Sequence, residues 1–214
     1  MISSELQRKF DKAKSLLVLD HPFFGAAVAN RQVKWLNSTP TAAMSATGQM
    51  VINPTFAEPL TVKQIQFLLA HEAMHYMLSH SFRRKHRDPK AWNIACDKVI
   101  NDTLVDAKVG DFIDGCVTFD GARNNAAEEL YYEQEGEGGS GPGGTGMDIG
   151  DPTDENGKPL DDATRHTLEA QATIELVQAA KAAKARVKLP VGMERMIDEI
   201  VNVPTPWQIG RAHV

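Results

Sequence analysis

The sequence predicts an α+β fold, mostly helical, with a small antiparallel or mixed sheet. Three observations carry this expectation. Several long segments repeat apolar residues at helical spacing and are bounded by capping residues. The extended candidates are short and confined to residues 32–53. The chain has 214 residues, 42% hydrophobic and 24% charged, which suffices for a real core.

A first helix is predicted from Ser4 to Leu19, where Leu6, Phe10, Ala13 and Leu17 recur on one side. Asp20-His21-Pro22 stops it, because the residue before proline is pushed out of the helical region. Gln32–Leu36 and Gln49–Asn53 read as strands, and Thr41–Ser45 can pair with the latter as a hairpin. Thr61 and Gln64 then have capping-box form, with Leu60 and Ile65 set to staple the turn. The helix they open is predicted to run from Val62 to about Arg83. Basic residues Arg83 to Arg87 complement the dipole at its end. Asp88-Pro89 starts another helix reaching about Ala107. Asn125 and Glu128 begin a shorter one through Tyr132, and further helices are expected over 162–187 and 192–201.

This reading divides the chain into a domain over 1–134, a Gly-rich acidic linker or loop over 135–161 and a helical segment over 162–208. Residues 209–214, Ile-Gly-Arg-Ala-His-Val, match the translation of a common sequencing-adapter run. They are expected to be non-native and the segment before them truncated, so His213 takes no part in the site.

A net charge of −5 argues against a basic nucleic-acid face. No apolar run reaches the roughly 18 to 20 residues of a membrane span. The N-terminus turns charged before any signal-like apolar stretch, and two cysteines are too few for a disulfide framework. A cytoplasmic location is expected.

The chemistry is concentrated in His71-Glu72-Ala73-Met74-His75, an H-E-x-x-H motif inside the best-marked helix. Residues four apart share a helix face, so His71 and His75 can grip one ion. Glu72 can then reach a water that the ion acidifies and act as general base. A chance match at this composition has odds on the order of one in a hundred, before the helix requirement is added. Imidazole ligands suit Zn2+.

Catalytic zinc takes three protein ligands, and the best third is Asp97. It lies in a polar row, Asn93, Asp97 and Asn101, running at four-residue spacing along an otherwise apolar helix. A carboxylate in such surroundings is costly to bury unless a metal neutralises it, and the two asparagines can hold the ligands from behind. His80 is the rival. Five residues beyond His75 it turns off the shared face, unless the helix breaks near Ser79, and it is expected behind the ligands or on the substrate side. Tyr131 or Tyr132 offers a hydroxyl to a developing oxyanion, the other packing in the core. Cys96 is expected in the core and His86 in solvent, while His21 and His166 have no partner pattern.

His71 through His80, then Arg83-Arg84, Trp92-Asn93-Ile94-Ala95-Cys96-Asp97 and Ile100-Asn101 resemble a family of zincin-like metallopeptidase domains. These are found N-terminal to a von Willebrand factor A-like domain in bacterial and phage proteins. Ile52-Asn53-Pro54 and Ala127 to Tyr131 fit the same pattern, so the resemblance covers residues 1–134. It implies a zincin-like fold in which a helix pair carries the metal beside a small sheet. It also implies His71, His75 and Asp97 as ligands and Glu72 as the catalytic residue. In zincins an extended peptide adds to an edge strand before the active-site helix, a part expected of Gln49–Asn53.

The leading functional expectation is a zinc endopeptidase acting on a protein or peptide. The alternative is a catalytically silent, metal-stabilised interaction module partnering an ATPase or a von Willebrand factor A-like domain. Metal-assisted hydrolysis of a non-peptide bond would use the same residues.

Overall fold

Thr61 opens the central helix as its sequence foretells: its hydroxyl accepts from the Gln64 N–H at 3.1 Å, and the Gln64 amide oxygen accepts from the Thr61 N–H at 3.0 Å. In the computed structural model the described residues are 2–118, 120–136, 149, 151–154, 157–185, 189 and 192–201. Residues 137–148, 150 and 155–156 of the predicted Gly-rich acidic stretch and the tail 209–214 with His213 lie outside them.

The described elements are α1 (Ser4–Asp20), α2 (Pro22–Ala29), β1 (Val33–Trp35), β2 (Ala42–Met44), β3 (Met50–Ile52), α3 (Pro54–Ala57) and α4 (Val62–Met77). After them come α5 (His80–Arg83), α6 (Pro89–Asp106), a 3₁₀ turn (Ala122–Asn124), α7 (Ala127–Gly136), α8 (Asp162–Lys184) and α9 (Met193–Val201). The fold is α+β: helices surround one small mixed sheet. Among the described residues no helix is long and apolar enough to cross a membrane.

The sheet has the order β1-β3-β2. β2 and β3 form the expected hairpin, antiparallel with Ala43 opposite Val51. β1 joins β3 in parallel, with Lys34 opposite Val51. This corrects one expectation. β3 is the central strand with both sides paired, so Gln49–Asn53 offers no edge to an extended peptide. The outer side of β2 carries a parallel bridge from Met44 to Ile149.

Ala42, Met44, Met50 and Ile52 bury the sheet face on which α4 packs, and Phe10 of α1 meets the Trp35 ring edge-on. α6 crosses α4 on another side, and α8 packs on α2 and α4. Arg31 lies over the Tyr76 ring of α4, 4.0 Å from its centroid, and forms an ion pair with Glu175 of α8. Gly48, at φ 80°, turns the hairpin where a Cβ would strike both Arg31 and Tyr76.

Four local departures have physical reasons. α2 was not foreseen: its sequence PFFGAAVA is apolar on every side, and Pro22 serves as a first-turn residue as well as a stop. α4 does not continue to Arg83. It ends at Met77, and Ser79 in the left-handed region (φ 54°) separates it from α5. α7 starts later than Asn125 implies, because Glu129 reaches back to the Ala126 N–H at 2.8 Å while Glu128 pairs with Arg83. The short helix α3, capped by Asn53 with Pro54 in its first turn, was also unforeseen.

Candidate metal centre

α4 is buried without interruption from Ile65 to Met77, so its polar side chains sit inside the protein and need partners there. His71, Glu72 and His75 are only 6%, 1% and 2% exposed. α6 answers with its polar row: Asn93, Asp97 and Asn101 are all buried. Both helices owe their placement to apolar neighbours on the same turns, among them Leu68, Met74, Trp92, Cys96 and Ile100.

Three donor atoms converge where the helices meet. His71 Nε2 lies 2.9 Å from His75 Nε2. Asp97 Oδ1 is 3.2 Å from His75 Nε2 and 3.5 Å from His71 Nε2. Ligands 2.0–2.1 Å from a tetrahedral ion are separated by about 3.3 Å from one another. The triangle therefore has the right size for a divalent cation held by three residues.

The hydrogen bonds behind the donors decide what they present. Asn101 gives its Nδ2 hydrogen to the Val117 carbonyl at 2.8 Å, so its oxygen faces His71 Nδ1 at 2.7 Å. An amide oxygen only accepts, hence His71 carries its proton on Nδ1 and turns the Nε2 lone pair inward. Asn93 donates to Asp97 Oδ2 at 3.1 Å, leaving Oδ1 buried, aimed at the imidazoles and without a hydrogen-bond partner. Lone pairs facing one another in a dry pocket are repulsive, and a cation between them relieves this. The residues present fit a metal ion.

Electrostatics point the same way. Burial lowers the pKa of His75, with the neighbouring His71 adding to it against the pull of Asp97. Burial drives His80 well below the ordinary histidine value, helped by His75, Arg83 and His71. Burial would raise the Asp97 carboxyl; a proton on either facing imidazole nitrogen holds it below the usual range, and a cation in that place would do the same. Neutral imidazoles and an ionised carboxylate are the forms that bind metal.

His80 comes close to the site through the break at Ser79, its Nδ1 lying 3.0 Å from His75 Nδ1. It stands behind His75, while Asp97 shares the inner space with both imidazoles. Trp92, part of the Trp92–Asp97 stretch that carries the resemblance, donates its indole N–H to the His80 carbonyl at 2.9 Å. No sequence signal marks the Val117 carbonyl that holds Asn101. Tyr131 is buried against Trp92, and its hydroxyl accepts from the Asp88 N–H at the start of α6. Tyr132 is exposed and accepts from Arg87. Cys96 is buried, which pushes its thiol well up and makes it inert. His86 and His166 are exposed; His21 is half-buried where α1 gives way to α2.

With this geometry established, comparison with known proteins adds one finding. Residues 5–210 match the family described as "Putative metallopeptidase domain". The chain belongs to this family. No curated protein and no solved structure matches it. The metallopeptidase-domain match runs past residue 134 through α8 and α9. A metallopeptidase domain implies a metal ion, and among the described residues the buried His71, His75 and Asp97 form the group able to hold one.

Proposed function

We propose that this metallopeptidase-domain chain is a zinc-dependent peptidase, with His71, His75 and Asp97 as the metal ligands and Glu72 as the general base. The observation that carries the proposal is the convergence of the two Nε2 atoms and Asp97 Oδ1 within bonding range of a single ion, beside a buried glutamate on the same helix. Two imidazoles and one carboxylate form a donor set that zinc favours. When bound there, the ion supplies a Lewis acid that acidifies a water and polarises the scissile carbonyl. Glu72 takes the proton released as water attacks and hands it to the leaving amine. The substrate is a protein or peptide.

Glu72→Gln tests this directly. The variant should keep its zinc and its fold while hydrolysis of a quenched fluorescent peptide mixture falls by a factor of about a thousand or more. Wild-type turnover in the variant would remove Glu72 from the mechanism.

One observation favours a second reading. The three donors and Glu72 are nearly inaccessible among the described residues, His71 being the most open at 6%. A closed site is what a structural metal needs. On this reading the ion braces α4 against α6 in a module that engages an ATPase or a von Willebrand factor A-like domain. Zinc bound at one equivalent, with no cleavage of any peptide in the mixture, would favour it.

A further inference from the structure

We infer that His80 is a positioning residue for the metal centre: a neutral imidazole whose Nδ1 accepts the Nδ1 proton of His75 and so turns the His75 Nε2 lone pair onto the ion. The inference rests on the metal-binding reading of His71, His75 and Asp97 and adds what holds the second ligand in its binding form.

The argument begins with a 3.0 Å contact between two nitrogens of the same kind, His75 Nδ1 and His80 Nδ1. A hydrogen bond between them needs one proton, and either ring can own it. The other side of His75 decides the matter. Its Nε2 faces His71 Nε2 at 2.9 Å and Asp97 Oδ1 at 3.2 Å, where ligation requires a lone pair. A neutral imidazole has a single N–H, so His75 carries it on Nδ1. His80 must then accept on Nδ1, which makes it neutral and puts its own proton on Nε2.

The backbone is shaped to deliver that ring. Ser79 adopts φ 54°, a left-handed conformation that costs a non-glycine residue roughly 1 kcal/mol or more. Without the break, position 80 would point away from the face shared by His71 and His75. The displaced turn is then secured by the Trp92 indole on the His80 carbonyl at 2.9 Å and by Arg83 on the Leu78 carbonyl at 3.1 Å. The Trp92 ring also stands edge-on to the His80 ring, 6.0 Å between centroids.

The choice of imidazole has a consequence for charge. Metal-bound histidines commonly lean on a carboxylate or a backbone carbonyl. Here the supports are an amide behind His71 and an imidazole behind His75, and neither is charged. A carboxylate at position 80 would add a further negative charge to a buried pocket that already holds Asp97, which is costly.

Two substitutions separate positioning from packing. An asparagine amide occupies the Cγ–Nδ1 edge of a histidine, whereas a glutamine amide reaches toward Nε2. Zinc affinity of metal-stripped wild type, His80→Asn and His80→Gln is measured by competition with a chromophoric chelator. His80→Asn should stay within about threefold of wild type, and His80→Gln should bind about 10- to 100-fold more weakly. Wild-type affinity in His80→Gln, or equal losses in both variants, would overturn the inference. A readout without substitution guards against variants that fail to fold. In the zinc-loaded wild type labelled with 15N-histidine, long-range proton–nitrogen spectra should show His75 protonated on Nδ1 and His80 on Nε2; a proton on His80 Nδ1 overturns the inference alone. A wild type that binds no zinc overturns it together with the metal reading.

Discussion

Asn101 spans the gap between His71 and the backbone of residue 117, accepting from one at 2.7 Å and donating to the other at 2.8 Å. One amide thus fixes both its own orientation and the tautomer of the His71 ring. Asn101→Leu removes both functions while keeping the branching of the side chain. Zinc affinity should fall about 10- to 100-fold. Stability should fall by about 1–3 kcal/mol, as buried His71 Nδ1 and the part-buried Val117 carbonyl lose their partner. Zinc titration and urea unfolding check the two effects separately; an unchanged affinity would remove Asn101 from the metal centre.

Stripping the metal should lower the melting temperature. An ion present at a thousand times its Kd stabilises the folded state by about 4 kcal/mol. For a chain of this length that corresponds to roughly 8–16 °C. Asp97→Asn keeps the shape of the side chain and removes its charge, so added zinc should recover little of that increment. Calorimetry with zinc and with a chelator measures it. A wild-type melting curve indifferent to both would mean that α4 and α6 meet without needing an ion.

The parts of this arrangement that the sequence discloses are those that local chemistry specifies. Thr61 and Gln64 mark the start of α4 because a capping box is satisfied within four residues. The row Asn93, Asp97 and Asn101 stands out because four-residue spacing on an apolar helix puts polar groups where burial penalises them. What stays hidden depends on distant neighbours. The break before His80 is made by a serine in a glycine-like conformation, with no Gly or Pro to announce it. β3 becomes central only because β1 returns to it in parallel, a pairing between segments separated by a hairpin. Glu128 reads as a capping residue of α7 until Arg83, far along the chain, claims its carboxylate.

α8 should stabilise the helix that bears the histidines. Arg31 is 8% exposed, stacks on Tyr76 of α4 and pairs with Glu175 of α8, whose side chain is 28% exposed. Glu175→Ala leaves a buried guanidinium without its carboxylate. A fully buried pair broken in this way costs about 3–5 kcal/mol, and the partial exposure of Glu175 reduces this to about 2 kcal/mol. Urea unfolding of wild type and variant gives the difference. A change below about 0.5 kcal/mol would mean that the pair behaves as an exposed one.

Acid should loosen the turn that carries His80, through Arg83. This residue donates from Nε and Nη2 to the two oxygens of Glu128, at 3.1 and 2.5 Å, and from Nη1 to the Leu78 carbonyl. Burial would push the Glu128 carboxyl up, yet the guanidinium outweighs it and holds the pKa below its ordinary value. The folded protein therefore binds this proton less readily than the unfolded chain, and unfolding takes up a proton as pH falls. The stabilisation is complete above the unfolded pKa of about 4.3 and disappears as pH drops through the lower folded value. Glu128→Gln should be less stable than wild type at pH 6–7, with the two converging toward pH 3. Urea midpoints across that range test the sign as well as the size: a gap that stays constant with pH would show that the pair acts through packing and not through charge.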